Sequence, residues 1–182
     1  ATAMIPTRSP FIVRANFTLP QVTAPIAEWA LKNKIRRVVT MVTDYGPGLD
    51  AEKTFHAVFK AGGGEVVEAI KTPLRNPDYA PFLQRAKDAK PDSLFVFVPS
   101  GEGLAVMKQF DERGLKQAGI RLIGTGDVTD DDLLESMGAP AAVDDAGLVA
   151  FLGQLAKLPC RIADAPKRVA LVQSSLGVQP SL

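Results

Sequence analysis

The chain has 182 residues, 46% of them hydrophobic, enough for one well-filled core and too few for two generous ones. Lys and Arg total 21 against 20 Asp and Glu, a formal charge of +1, so no global field favours nucleic acid or an anionic membrane surface. The single cysteine, Cys160, makes no internal disulfide and fits a reducing or an oxidising compartment equally. The apolar runs fall far short of the roughly 20 residues that cross a bilayer. Ala1 opens no charged-then-apolar leader, so a soluble chain is expected whose export signal is absent or already removed.

Phe11-Ile12-Val13 reads as a short strand. From Gln21 to Lys34 the apolar residues Val22, Ile26, Trp29, Ala30 and Leu31 recur near helical spacing, with Pro20 and Pro25 placed in or before the first turn. Arg37 to Val42 is a β-branched run of the kind buried on both faces of a parallel sheet, and Gly46 and Gly48 break it. Leu49, Phe55, Val58 and Phe59 mark one face of a helix ended by Gly62-Gly63-Gly64. Glu65 to Ile70 is a strand, Asn76-Pro77-Asp78 supplies a turn and a cap, and Tyr79 to Ala89 is a helix turned inward through Phe82, Leu83 and Ala86.

Ser93 to Val98 is the most strongly apolar strand. Gly103 to Arg113 is a helix stopped by Gly114, Ile120 to Ile123 the next strand, and Asp130 to Ser136 a short helix opened by a Thr129/Asp132 capping box. Strands separated by single helices predict an α/β fold, a three-layer arrangement of a parallel sheet with helices on both faces. After Pro140 the character changes: residues 141–158 have helical potential, 168–172 read as a strand, and 174–182 look unstructured. The domain expectation is an α/β lobe over residues 1–140 and a divergent tail over 141–182.

Ligands of an open parallel sheet bind outside the carboxyl ends of its strands. Three loops qualify: Thr43 to Gly48, Pro99 to Gly103, and Gly124 to Thr129. In the first, Asp44 and Tyr45 stand before a rigid Gly46-Pro47-Gly48 turn that would hold an aromatic ring and hydroxyl toward a ligand; the bland alternative is that Tyr45 covers the sheet edge and Asp44 caps a turn. In the second, Ser100 and the Gly101 backbone offer hydrogen bonds at a helix start, against the alternative of plain N-capping. The third invites a phosphate-loop reading that fails, because Asp127 and Asp130-Asp131-Asp132 would repel an anion and neither G-x-G-x-x-G nor a Walker lysine is present.

The glycines at 62 to 64 follow a helix and precede a strand, at the wrong end of the sheet for a nucleotide. His56, the only histidine, sits mid-helix beside core Phe55 and reads as a solvated or boundary residue. No metal-ligand spacing, G-x-S-x-G elbow, activated cysteine or catalytic carboxylate pair is present, so neither a cofactor nor a metal is expected and the chain reads as a binder rather than an enzyme.

Taken in order, Phe11-Ile12-Val13-Arg14, Phe17-Thr18, Gln21, Val38-Val39-Thr40-Met41-Val42-Thr43-Asp44-Tyr45-Gly46-Pro47-Gly48, Ala61 to Val66, Asp78 to Leu83, Lys90-Pro91-Asp92, Pro99-Ser100-Gly101 and Ile123 to Gly126 form a consistent series. The series resembles the branched-chain amino-acid type of periplasmic solute-binding protein over residues 8 to about 140. The resemblance implies the second lobe of a type I periplasmic-binding-protein fold. In such proteins two α/β lobes close on a small ligand and deliver it to an ABC transporter, whose permease is then a partner, in the periplasm. It implies ligand contacts from Tyr45, Ser100 and Asp127, with Phe17 and Thr18 near the hinge and Phe17 placed to stack on an aromatic ligand.

Amino-acid binders of the family tend to hold the ligand ammonium with a carboxylate in the loop after the strand equivalent to Leu122-Ile123, a position matched here by Gly126 or Asp127. A displaced carboxylate favours an aromatic or aliphatic carboxylate lacking an amino group. The resemblance also implies a missing first lobe, hence a fragment with an exposed cleft face prone to self-association. The competing functions are an effector-sensing domain of a regulator or receptor with the same fold, and an enzyme of the doubly wound class.

Overall fold

A computed structural model of the chain describes residue 11 and residues 17–75 and 77–128. All of these belong to the first of two compact units, Ala1–Val143. The elements expected at 130–136, 141–158 and 168–172 lie outside the described residues, as do Ile12 and Val13 of the first expected strand; Phe11 is in a turn.

Helix α1 (Leu19–Lys32) opens on Thr18, whose side chain accepts from the Gln21 amide while the Gln21 side chain reaches back to the cap, a complete capping box. The helix therefore begins two residues before the predicted start, which leaves Pro25 inside it rather than in its first turn. Strand β1 (Arg37–Thr43) leads to α2 (Gly46–Ala61), β2 (Glu65–Thr72), α3 (Ala80–Asp88), β3 (Ser93–Phe97), α4 (Gly103–Glu112) and β4 (Arg121–Gly124), with a 3-10 turn at Gly126–Val128. The sheet order is β2-β1-β3-β4, every pair parallel.

Period two along the strands divides the core into two layers. Val39 and Met41 of β1 with Leu94, Val96 and Val98 of the β3 segment pack with Tyr79, Leu83, Ala86, Val106, Met107 and Phe110 of the α3 and α4 segments. The alternate residues serve the opposite face, where Phe95 stacks on Phe55 of α2 with ring centroids 4.3 Å apart and Phe55 stacks on Phe59 at 5.2 Å. Thr40 on that face meets α2 through His56 Nε2, 3.0 Å from its hydroxyl. The helices thus lie on both faces of the sheet, as the alternation of strand and helix predicts.

Lys90-Pro91-Asp92 acts at the amino edge of the sheet. The Asp92 carboxylate accepts the Arg36 and Arg37 amides, each at 2.8 Å, and its backbone bonds both to Arg37 and to Arg121, so one residue sets the entry of three strands. Gly62 and Gly64 are used for close packing at this same edge, since a Cβ at Gly62 would stand 2.2 Å from the Leu31 side chain and one at Gly64 2.4 Å from Phe59, while Gly63 between them takes a φ of +82°.

Candidate functional site

Strand β1 hands its chain to a helix on one face of the sheet, and its neighbour β3 hands its chain to a helix on the other. The crevice between their carboxyl ends is the topological switch point, where ligands of such sheets bind. Tyr45 occupies it. The Tyr45 ring lies on Phe97, the last residue of β3, with centroids 6.1 Å apart and planes 27° from parallel, an offset stack. Phe97 itself is buried, so the half-buried tyrosine rests on a fixed ring.

Gly46-Pro47-Gly48 is not a separate turn, as predicted, but the first turn of α2, with Tyr45 as its N-cap residue. Proline fits a first turn because its missing N–H has no intrahelical acceptor there. Gly48 fits because a Cβ at that position would lie 2.0 Å from the Thr43 carbonyl oxygen. That same carbonyl accepts the Tyr45 amide at 2.9 Å, so the end of β1, the tyrosine and the start of α2 form one tight knot. Asp44 is exposed, and its amide extends the ladder to Thr72 at 2.9 Å. Beneath it the buried hydroxyls of Thr43 and Thr72 bond at 3.3 Å.

Ser100 is exposed in a turn closed by the Glu102 amide on the Pro99 carbonyl at 3.1 Å, with Gly101 at φ +90°. The N-cap residue of α4 is Glu102, two residues after Ser100, and the Glu102 side chain does not cap that helix. Gly103 is buried against the loop after β4: a Cβ there would stand 2.0 Å from the Val128 carbonyl oxygen. Asp127 lies within that 3-10 turn. Thr18 commits its hydroxyl to the start of α1, and Phe17 precedes it, 42% exposed. Tyr45 and Ser100 therefore share the switch point, while Phe17 and Thr18 stand at the head of α1.

Sequence reasoning missed Phe97, read only as part of an apolar strand; the available signal was its place as the last strand residue at a switch point. It also missed Tyr79, the N-cap residue of α3 rather than its first turn, and Glu102. The Tyr79 hydroxyl donates to Glu102 Oε2 at 3.4 Å, and burial together with that carboxylate holds the phenol protonated well above the usual tyrosine range. His56 is half-buried, and desolvation lowers its pKa, against the Glu52 carboxylate and with help from Lys60 and Lys71. Glu52 pairs with Lys71 across α2 and β2.

Among the described residues no three His, Cys, Asp or Glu side chains gather to hold a metal, and no helix is long and apolar enough to cross a membrane. Backbone turns, a stacked tyrosine and exposed hydroxyls suit recognition of a small ligand.

A family model described as periplasmic binding protein matches residues 4–159. Leu/Ile/Val-binding protein homolog 6 of Brucella melitensis biotype 1 is 46% identical over 142 residues, 78% of this chain and 36% of that protein. A solute binding protein of an ABC transporter from Rhodopseudomonas palustris BisB5, solved in complex with 3,4-dihydroxybenzoic acid, is 49% identical with a TM-score of 0.75, covering 97% of this chain and 47% of that one. Another from Rhodopseudomonas palustris HaA2, in complex with p-hydroxybenzoic acid, is 38% identical with a TM-score of 0.75, covering 86% and 46%. The chain thus spans less than half the length of each of these relatives. With its parallel sheet and a family match over most of its length, this chain belongs to the periplasmic binding protein family.

Proposed function

We propose that this chain is a ligand-binding lobe of an ABC-transporter solute-binding protein, a fragment corresponding to the second lobe, and that its ligand is a small aromatic carboxylate. The observation that carries the reading is Tyr45 stacked on Phe97 at the β1–β3 switch point, a flat, rigid, amphipathic surface with a hydroxyl at its rim. The relatives solved with 3,4-dihydroxybenzoic acid and p-hydroxybenzoic acid support the aromatic choice, and the Leu/Ile/Val-binding homologue keeps an amino-acid ligand as the comparison. The effector-sensing alternative gains no support from these relatives.

In this reading Tyr45 and Ser100 contact the ligand from the switch point, Asp127 from the loop after β4, and Phe17 and Thr18 from the hinge side. Residues 1–140 form the lobe and 141–182 a divergent tail. The working compartment is the periplasm and the partner of the loaded protein is the transporter permease. The cleft face of the isolated lobe also drives self-association at high concentration.

The chain contains two tyrosines, so 3-fluorotyrosine labelling gives two fluorine signals, assigned by Tyr45→Phe and Tyr79→Phe. Titration with 4-hydroxybenzoate and benzoate into the millimolar range moves the Tyr45 signal, and L-leucine at equal concentration leaves it in place. A shift with leucine alone overturns the aromatic assignment. A Tyr45 signal that ignores all three ligands overturns binding at this site.

A further inference from the structure

The turn that carries Ser100 is clamped from both sides. On one side Gly103 sits directly against the Val128 carbonyl, a contact that any Cβ would forbid. On the other, Glu102 reaches across to the α3 segment. Glu102 and Tyr79 are the N-cap residues of adjacent helices, and neither uses its side chain to cap its own helix. Glutamate is a poor N-cap residue, and Tyr79 is fully buried, where a hydroxyl without a partner is costly. The two side chains answer each other instead, Tyr79 Oη donating to Glu102 Oε2 at 3.4 Å.

The Glu102 backbone closes the turn at both ends. Its amide bonds the Pro99 carbonyl, and its carbonyl accepts Ala105 and Val106 at the head of α4. Fixing the Glu102 side chain therefore fixes the segment on which Ser100 is displayed. We infer that Tyr79 and Glu102 are positioning residues of the binding site, a hydrogen-bonded pair that holds the Pro99–Glu102 turn and so presents Ser100 to the ligand. Tyr79 acts through Glu102 and does not itself touch the ligand.

This inference rests on the proposed function for its meaning but not for its test. In the 182-residue chain, amide hydrogen exchange at Glu102, Ala105 and Val106 reports the turn without any ligand. Tyr79→Phe keeps the ring and removes the donor. Glu102→Ala removes the acceptor, and Glu102→Gln retains an amide oxygen in its place.

Tyr79→Phe and Glu102→Ala each speed exchange at the three amides by about three- to tenfold, the double variant is no faster than either single one, and Glu102→Gln stays near wild type. Amides of β1 and β3, such as Met41 and Val96, keep their wild-type rates, which separates loosening of the turn from general destabilisation. Unchanged exchange at Glu102 in Tyr79→Phe, rates in the double variant that multiply, or equal acceleration in the strands overturns the pairing. A parallel titration with 4-hydroxybenzoate reads the consequence. If wild type binds, the two disruptive variants lose affinity together and Glu102→Gln holds it, and affinity unchanged in both disruptive variants overturns the positioning role. If wild type does not bind, the proposed function fails while the exchange data still decide the pairing.

Discussion

Gly48→Ala tests whether the end of β1 and the start of α2 form a single rigid knot. Two effects of opposite sign compete. Alanine in place of glycine in a helix favours folding by about 1 kcal/mol. The new Cβ, however, would lie 2.0 Å from the Thr43 carbonyl oxygen, against about 3.3 Å for a close C···O contact. The shortfall of about 1.3 Å approaches the rise of one helical residue, about 1.5 Å. No flexible side chain can yield, because the opposing atom is backbone at the end of a central strand and already accepts the Tyr45 amide.

Relief must therefore come from a shift of the first turn of α2, which carries Tyr45 off Phe97. Overpacking of this kind costs about 1–3 kcal/mol and sometimes more, so after the helix-propensity gain a net loss of about 1–2 kcal/mol is expected. Urea unfolding followed by the single tryptophan, Trp29, measures the loss, and the fluorine signal of Tyr45 reports the displacement. A variant as stable as wild type, or more so, with Tyr45 unmoved would show that helix propensity decides at this position and that the knot is soft.

Asp92→Ala removes the carboxylate that accepts two backbone amides at the amino edge, and a loss of about 1–3 kcal/mol in urea unfolding is expected, with Asp92→Asn intermediate because it keeps an acceptor. A Tyr45→Leu, Phe97→Leu double-mutant cycle gives a coupling of about 0.5 kcal/mol, at the low end of stacked pairs because the centroids are 6.1 Å apart; strict additivity would remove Phe97 as the support of the tyrosine. Burial places the folded-state pKa of His56 below its ordinary 6.5. The unfolded chain therefore takes up the proton first as pH falls, and stability declines below about pH 6.5. In His56→Gln that part of the decline disappears, which urea midpoints measured between pH 5 and 8 will show.

The sheet was legible because its signals are local and repeated. Val38 to Val42 and Leu94 to Val98 are apolar at every or nearly every position, as strands covered on both faces must be, and each is followed by a helix with an inward stripe. Boundaries were less legible where a tertiary contact sets them. Gly46-Pro47-Gly48 carries turn chemistry in sequence, yet it is the first turn of α2, where proline's missing N–H is no loss and glycine fits beside the Thr43 carbonyl. Leu49, read as inward, is 42% exposed, because the buried stripe of α2 runs through Gly48, Ala51, Phe55 and Phe59 and Leu49 lies about 100° round the helix from Gly48. Tyr45 and Ser100 were legible as loop residues at strand ends. Phe97, Tyr79 and Glu102 were not, since their importance arises from partners 52, 23 and 23 positions away in the chain, distances at which periodicity carries no information.

The three seams at the carboxyl edge bear on why the proposed site falls at β1–β3. The β2–β1 seam is closed by the bonded hydroxyls of Thr43 and Thr72 and by the Asp44 amide on Thr72. The β3–β4 seam is filled by Val128, whose side chain would stand 2.9 Å from a Cβ at Gly124 and whose carbonyl presses on Gly103. At β1–β3 the two chains leave toward opposite faces, to α2 and to α4. There the fold places a half-buried aromatic ring on one side and an exposed serine turn on the other. The small residues at 48, 103 and 124 let loops and helix starts pack tightly against the strand ends. That packing leaves the β1–β3 crevice as the place where, in the proposed function, Tyr45 and Ser100 meet the same small molecule.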